Sequence, residues 1–174
     1  MCSPLKSHSE VIRYTVGKCS FDSIVMAVSS EGICAIFIGD SPEDLIVDLY
    51  RRFPIALVER ADELLAGMLD NVTEFIDNPR IPLILELDLR GTPFQKKVWH
   101  AVASIPYGNT ASYADIALDI GMPRSARAVA RACAVNSIAV VIPCHRVIRS
   151  DGTVAGYRFG AEHRTRLLNK EQET

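Results

Sequence analysis

The chain has 174 residues, 48% of them hydrophobic, and a formal net charge of −2. That suffices for one ordinary domain or two small ones around a real core. No apolar run reaches the roughly 18 to 20 residues that a membrane-spanning helix needs, so no membrane partner is expected.

The five cysteines (Cys2, Cys19, Cys34, Cys133, Cys144) are odd in number and form no C-x-x-C pair. With no apolar signal-peptide stretch over Met1–Lys6, this predicts a reducing, cytoplasmic setting without a disulfide framework. The charge is uneven. Residues 1–87 carry 7 basic and 14 acidic side chains, net −7, and residues 88–174 carry 12 and 7, net +5. Such asymmetry points to a polyanionic partner for the basic half, or to solvated faces alone.

In the first half, Val11–Val16, Phe21–Val28 and Gly32–Ile38 are short β-prone runs. Gly17-Lys18 and Ser29–Gly32 separate them, as in an antiparallel meander. Ser41-Pro42-Glu43-Asp44 starts a helix, and Leu45, Leu49 and Phe53 follow at helical spacing. A second helix is predicted over Asp62–Asp77, ended by Asn78-Pro79. Leu83, Leu85, Leu87 and Leu89 alternate with Ile84, Glu86 and Asp88, which predicts a strand with one buried face. No catalytic constellation is visible in this half.

The second half reads as mostly helical. Thr92-Pro93-Phe94-Gln95 has the form of a capping box opening a helix with Val98, Trp99 and Val102. Ile105–Asn109 breaks it, and Ser112 with Asp115 predicts a cap for a helix over Tyr113–Leu118. Gly121 then turns the chain and Pro123 starts the next helix. The pattern is that of a helix-turn-helix. The expected division is residues 1–89 and 90–174.

In the helix expected from Arg124 to Cys133, Arg124, Arg127 and Arg131 lie at i, i+3 and i+7, within about 60° of arc. Small residues such as Ala126 surround them. A close backbone approach to a nucleic-acid groove, with arginines reaching phosphates or bases, fits this pattern; so does a solvated surface helix.

Ile142-Pro143-Cys144-His145-Arg146-Val147 follows the apolar segment Ile138–Ile142, read as a strand. An ordinary thiol is only about 3% thiolate at pH 7, so a nucleophilic cysteine needs a base or positive potential beside it. His145 and Arg146 are neighbours, and a carboxylate would complete a relay. Glu171, Asp151, Glu162 and Glu173 remain open for that place. The bland alternative for Cys144 is a small buried hydrophobe. Metal binding is disfavoured, because no second Cys/His pair lies at ligand spacing. Ser150–Tyr157 is a glycine-bearing loop able to wall a pocket.

Taken together, Gly91–Trp99, Ile105-Pro106-Tyr107-Gly108, Ser112-Tyr113, Ser125–Val129, Asn136, Pro143–Ile148 and Gly156-Tyr157 resemble the O6-alkylguanine-DNA alkyltransferases. The match runs in order through residues 91–171, and is looser before that. Ile33–Ile36, Asp88–Gly91 and Tyr157–Gly160 look most like the bacterial adaptive-response members.

The resemblance implies an α+β protein. Its first part would be a small antiparallel sheet with helices, ribonuclease-H-like. Its second would be a winged helix-turn-helix-like domain bearing the acceptor. It implies a single-turnover methyltransferase that moves an alkyl group irreversibly from O6 of guanine in DNA to Cys144. His145 would deprotonate the thiol through a water, and Glu171 would polarise the histidine. Tyr113 would donate to the departing guanine and help rotate the nucleotide, Arg127 would fill the place of the flipped base, and Asn136 would brace the turn before the cysteine.

The resemblance places Arg124, Arg131 and Ala126 with Arg127 and Tyr113 at DNA. Val147, Val154, Tyr157 and Arg158 would wall the substrate pocket. The partner would be double-stranded DNA bound through the minor groove by a monomer, with no cofactor. Cys2, His8, Cys19 and Cys34 do not match the zinc ligands of some relatives, so no metal is expected. A lesion binder without chemistry and an unrelated cysteine hydrolase are the rival readings.

Overall fold

The computed structural model describes residues 10–154 and 156–173. Expectations on Met1–Lys6, Cys2 and His8, and on Ala155 within the 154–158 loop, lie outside the described residues. The protein is a mixed α+β structure.

Three strands, β1 (Val11–Cys19), β2 (Asp22–Ser29) and β3 (Gly32–Gly39), form the expected meander. Helix α1 (Pro42–Arg52) follows, with the Ser41 hydroxyl accepting from the Asp44 N–H. A short strand, β4 (Leu57–Arg60), then joins the sheet beside β1, giving the order β3-β2-β1-β4. β4 pairs with β1 in parallel, so the sheet is mixed and not antiparallel throughout. Its first helix-bound neighbour, α2, spans Asp62–Asp77, the range the periodicity predicts.

Both faces of the sheet are covered, which is why β2 and β3 are almost continuously apolar instead of alternating. Tyr14, Val25, Ala35 and Phe37 pack against Leu45 and Leu49 of α1. On the other face Ile24, Met26, Ile36 and Ile38 share one cluster with Leu65, Val72 and Ile76 of α2. That cluster continues into residues beyond 90, among them Trp99, Ile116, Val129 and Leu167.

Residues 83–89 form no regular strand. They run extended beside β3 and make one bridge, with the Ile33 N–H donating to Glu86 O and the Asp88 N–H to Ile33 O. Leu83 and Leu85 are half-buried while Ile84 is exposed, so the alternation reports burial rather than a ladder. Residues 138–142 are not a strand either. They are turns tied by backbone hydrogen bonds between Ile36 and residues 137 and 139. Val140 adopts φ 65°, a left-handed conformation that costs a β-branched residue about 1–3 kcal/mol.

The later helices are α3 (Pro93–Ala103), α4 (Tyr113–Asp119), α5 (Ala126–Ala134) and α6 (Ala161–Gln172). Both predicted capping boxes are present, Thr92 with Gln95 and Ser112 with Asp115. α5 begins two residues after Arg124, which lies in the preceding turn; the expected stripe of three helical arginines is therefore two, Arg127 and Arg131. Trp99 Nε1 donates to Ala132 O at 2.9 Å and fixes α3 against α5. A small parallel pair, β5 (Ala111–Ser112) with β6 (Val147–Ile148), links the start of α4 to the segment after Cys144.

Candidate active site

The chain between α5 and β6 is organised by one buried side chain. Asn136 Oδ1 accepts from the Ile138 N–H at 2.9 Å. Its Nδ2 donates to Ile142 O at 3.0 Å, Ile138 O at 3.3 Å and Cys144 Sγ at 3.4 Å. Unpaired, these buried groups would each cost roughly 1–3 kcal/mol, so the amide pins the loop's course and the thiol's position together.

Cys144, His145 and Arg146 form one 3-10 turn, not an extended segment. All three are buried, and Cys144 is only 2% exposed. His145 Nε2 lies 2.7 Å from Glu171 Oε1. Arg146 donates to both oxygens of Glu171 at 2.9–3.1 Å, and through Nη1 to Ile105 O at 2.7 Å. The Gly108 N–H adds a 3.2 Å bond to Glu171 Oε2. Gly108 has φ 77°, and a Cβ there would sit 3.3 Å from Glu171 O, so the turn that presents this N–H favours glycine.

Electrostatics follow from burial and pairing. Burial raises the Glu171 pKa, but hydrogen bonds from His145 and Arg146 outweigh it and hold the carboxyl down at about 2. An ionised Glu171 makes Nε2 the protonated nitrogen of His145 and leaves Nδ1 as a lone-pair site. Nδ1 is buried without a hydrogen-bond partner among the described residues. Burial lowers the His145 pKa below the ordinary histidine value, against the pull of Glu171. The contact with the Cys133 thiol, then burial, push Cys144 well above the usual cysteine range, while Asn136 pulls the other way. The resting pair is therefore a neutral thiol beside a neutral imidazole.

A cleft of about 450 Å³ opens beside this turn, lined by Tyr113, Ala130, Arg131, Ala134, Gly156, Tyr157 and Arg158. Tyr157 also meets the His145 ring edge-on at 6.5 Å, and burial keeps its hydroxyl protonated. Cys144 lies behind this wall instead of lining it.

The other expected residues distribute around the cleft. Arg127 is exposed in the first turn of α5, Ala126 is half-buried at its start, and Arg124 is exposed in the turn before. Val147 is fully buried in β6, and Val154 is 45% exposed; neither lines the cleft.

Two contributors escaped sequence reasoning, Arg146 as the clamp on Glu171 and Gly108 as its backbone donor. An arginine inside a buried apolar run requires a carboxylate partner, and that signal calls for a buried acid without choosing which.

Known proteins share this arrangement of sequence and fold. The family model described as 6-O-methylguanine DNA methyltransferase, DNA binding domain, matches residues 93–173. The inducible methylated-DNA–protein-cysteine methyltransferase of Bacillus subtilis is 38% identical over 140 residues, covering 79% of this chain and 78% of that protein. The chain belongs to the methylated-DNA–protein-cysteine methyltransferase family.

Within this methyltransferase family, the bifunctional transcriptional activator/DNA repair enzyme Ada of Escherichia coli is 44% identical over 93% of the chain. The chain spans 46% of that relative, and the same share of the Salmonella typhimurium regulatory protein ada. It thus spans about half the length of these curated relatives. A crystal structure of Mycobacterium tuberculosis OGT in complex with DNA superimposes with a TM-score of 0.74 at 30% identity, covering 93% of this chain and 92% of that one.

Proposed function

We propose that the protein repairs O6-alkylguanine in duplex DNA by irreversible transfer of the alkyl group to Cys144. The observation that carries this reading is the buried 3-10 turn that presents Cys144 and His145 together, with His145 Nε2 2.7 Å from Glu171 of α6, set behind a cleft bordered by α5. A stacked guanine cannot bring its O6 to a buried thiol, so the nucleotide rotates out of the duplex into the cleft.

The chemistry proceeds from the groups present. A water bridging Sγ and His145 Nδ1 carries the thiol proton to the imidazole, and Glu171 stabilises the imidazolium so formed. The thiolate attacks the alkyl carbon in line with O6. The C–O6 bond breaks, and its electron pair leaves on the guanine, which Tyr113 neutralises by donating a hydrogen bond or proton. The product is a thioether with no ready hydrolysis route, so each molecule acts once.

Arg127 stands in the base stack in place of the rotated nucleotide, with Arg131, Arg124 and the small face at Ala126 against the backbone of the minor groove. Tyr157 and Arg158 wall the pocket, and Val147 and Val154 flank the segments that form it. This reading includes a monomer dividing near residue 90 into a ribonuclease-H-like part and a winged helix-turn-helix part. One buried cluster contains residues from both parts and packs them against each other.

The test is intact-protein mass after incubation with excess duplex carrying one O6-methylguanine. One added methyl group per molecule, mapped to Cys144 and absent from Cys144→Ala, is expected. Lesion binding without a mass change would favour the binder without chemistry.

A further inference from the structure

At the opposite end of α6 from Glu171, three side chains from distant parts of the chain converge. Asp22 comes from the start of β2, Asp40 from just beyond β3, and His163 from the first turn of α6. Their nearest ligand atoms all lie within 4.8 Å of one another. His163 has 8% of its side chain exposed, and its buried Nε2 makes no hydrogen bond. That nitrogen faces Asp40 Oδ1 at 3.4 Å and Asp22 Oδ2 at 3.7 Å.

We propose that Asp22, Asp40 and His163 form a binding site for a divalent transition-metal ion of the zinc class. The spacing fits the ion. Ligand atoms about 2.0–2.2 Å from a tetrahedral centre are roughly 3.3–3.6 Å apart, close to the two separations from Nε2. One imidazole and two carboxylates suit a borderline cation, with a water completing the shell. The surrounding groove adds Asp44, Asp48 and Glu162, which raise the local cation concentration.

Arg166 opposes binding. Its Nη1 donates to Asp22 Oδ2 at 2.8 Å, so the site binds less tightly than three unopposed ligands would. This set differs from Cys2, His8, Cys19 and Cys34, and it departs from the expectation of no metal. Bound metal would join the start of β2 and the end of β3 to the helix that carries Glu171. It takes no part in the transfer proposed above.

The test is a titration of the full chain with cobalt(II) alone, followed by visible absorbance. One equivalent is expected, with ligand-field bands and no sulfur-to-metal charge transfer. Asp40→Asn, an exposed substitution that leaves the fold intact, should weaken binding at least tenfold, as should His163→Gln. Arg166→Gln should tighten it. Equal binding by Asp40→Asn and the parent, a thiolate charge-transfer band, or no binding would each overturn the proposal. Because alkyl transfer is not the readout, failure here leaves the repair reading untouched.

Discussion

Glu171 of α6 accepts from His145 across 2.7 Å while it also receives three hydrogen bonds from Arg146. One carboxylate thus orients the imidazole and neutralises a buried guanidinium. Glu171→Gln keeps the shape and removes the charge. Single-turnover transfer should slow about 100-fold, as expected for loss of a general-base relay. Leaving Arg146 buried without its counter-ion should cost about 3–5 kcal/mol in urea denaturation. A variant that transfers within threefold of the parent rate would remove Glu171 from the relay.

Acid should weaken the fold in two windows. Glu171 is depressed from 4.5 to about 2, so its contribution of about 3 kcal/mol is complete above pH 4.5 and lost as pH falls toward 2. His145 is depressed below 6.5 by burial. The unfolded chain therefore takes up its proton first, and stability also declines as pH drops below 6.5. Urea midpoints measured from pH 8 to pH 3 should show both declines, and Glu171→Gln should flatten the lower one.

Asn136→Ala strips donors from Ile138 O, Ile142 O and Sγ and leaves the Ile138 N–H unpaired. The expected cost is about 2–4 kcal/mol, with a slower reaction of Cys144 toward both duplex lesion and free O6-methylguanine. Equal loss with the two substrates separates a defect at the thiol from one in DNA handling.

Arg127→Ala should show the opposite pattern. Transfer from duplex should fall at least tenfold while reaction with the free base stays unchanged, since the role proposed for this exposed guanidinium is to stand in for the rotated base. An equal loss with both substrates would contradict that role.

Much of this was legible because local chemistry and global structure agree. The capping boxes at Thr92 and Ser112 and the stripe of α2 are each set within one element. Other features depend on distant partners. β4 is a short, mostly exposed run that only pairing with β1 makes a strand. The alternation at 83–89 is genuine, yet too few ladder bonds form there. Cys144 and His145 were legible from their own residues, whereas only the family resemblance picked Glu171 from several acids, and α6 sets it against His145 and Arg146. Arg124 fell outside α5 because Gly121 and Pro123 hold the turn open longer than periodicity suggests.

The 3-10 turn at Cys144–Arg146 has an evolutionary consequence. At three residues per turn, successive side chains leave the axis about 120° apart. Three adjacent codons therefore serve distinct contacts: the thiol reaches Asn136, the imidazole Glu171 and Tyr157, and the guanidinium Ile105 O together with the same Glu171. Inserting or deleting one residue there would send every group to its neighbour's address at once. Such a segment tolerates change only as a block, and single substitutions are easier to absorb in the walls around it.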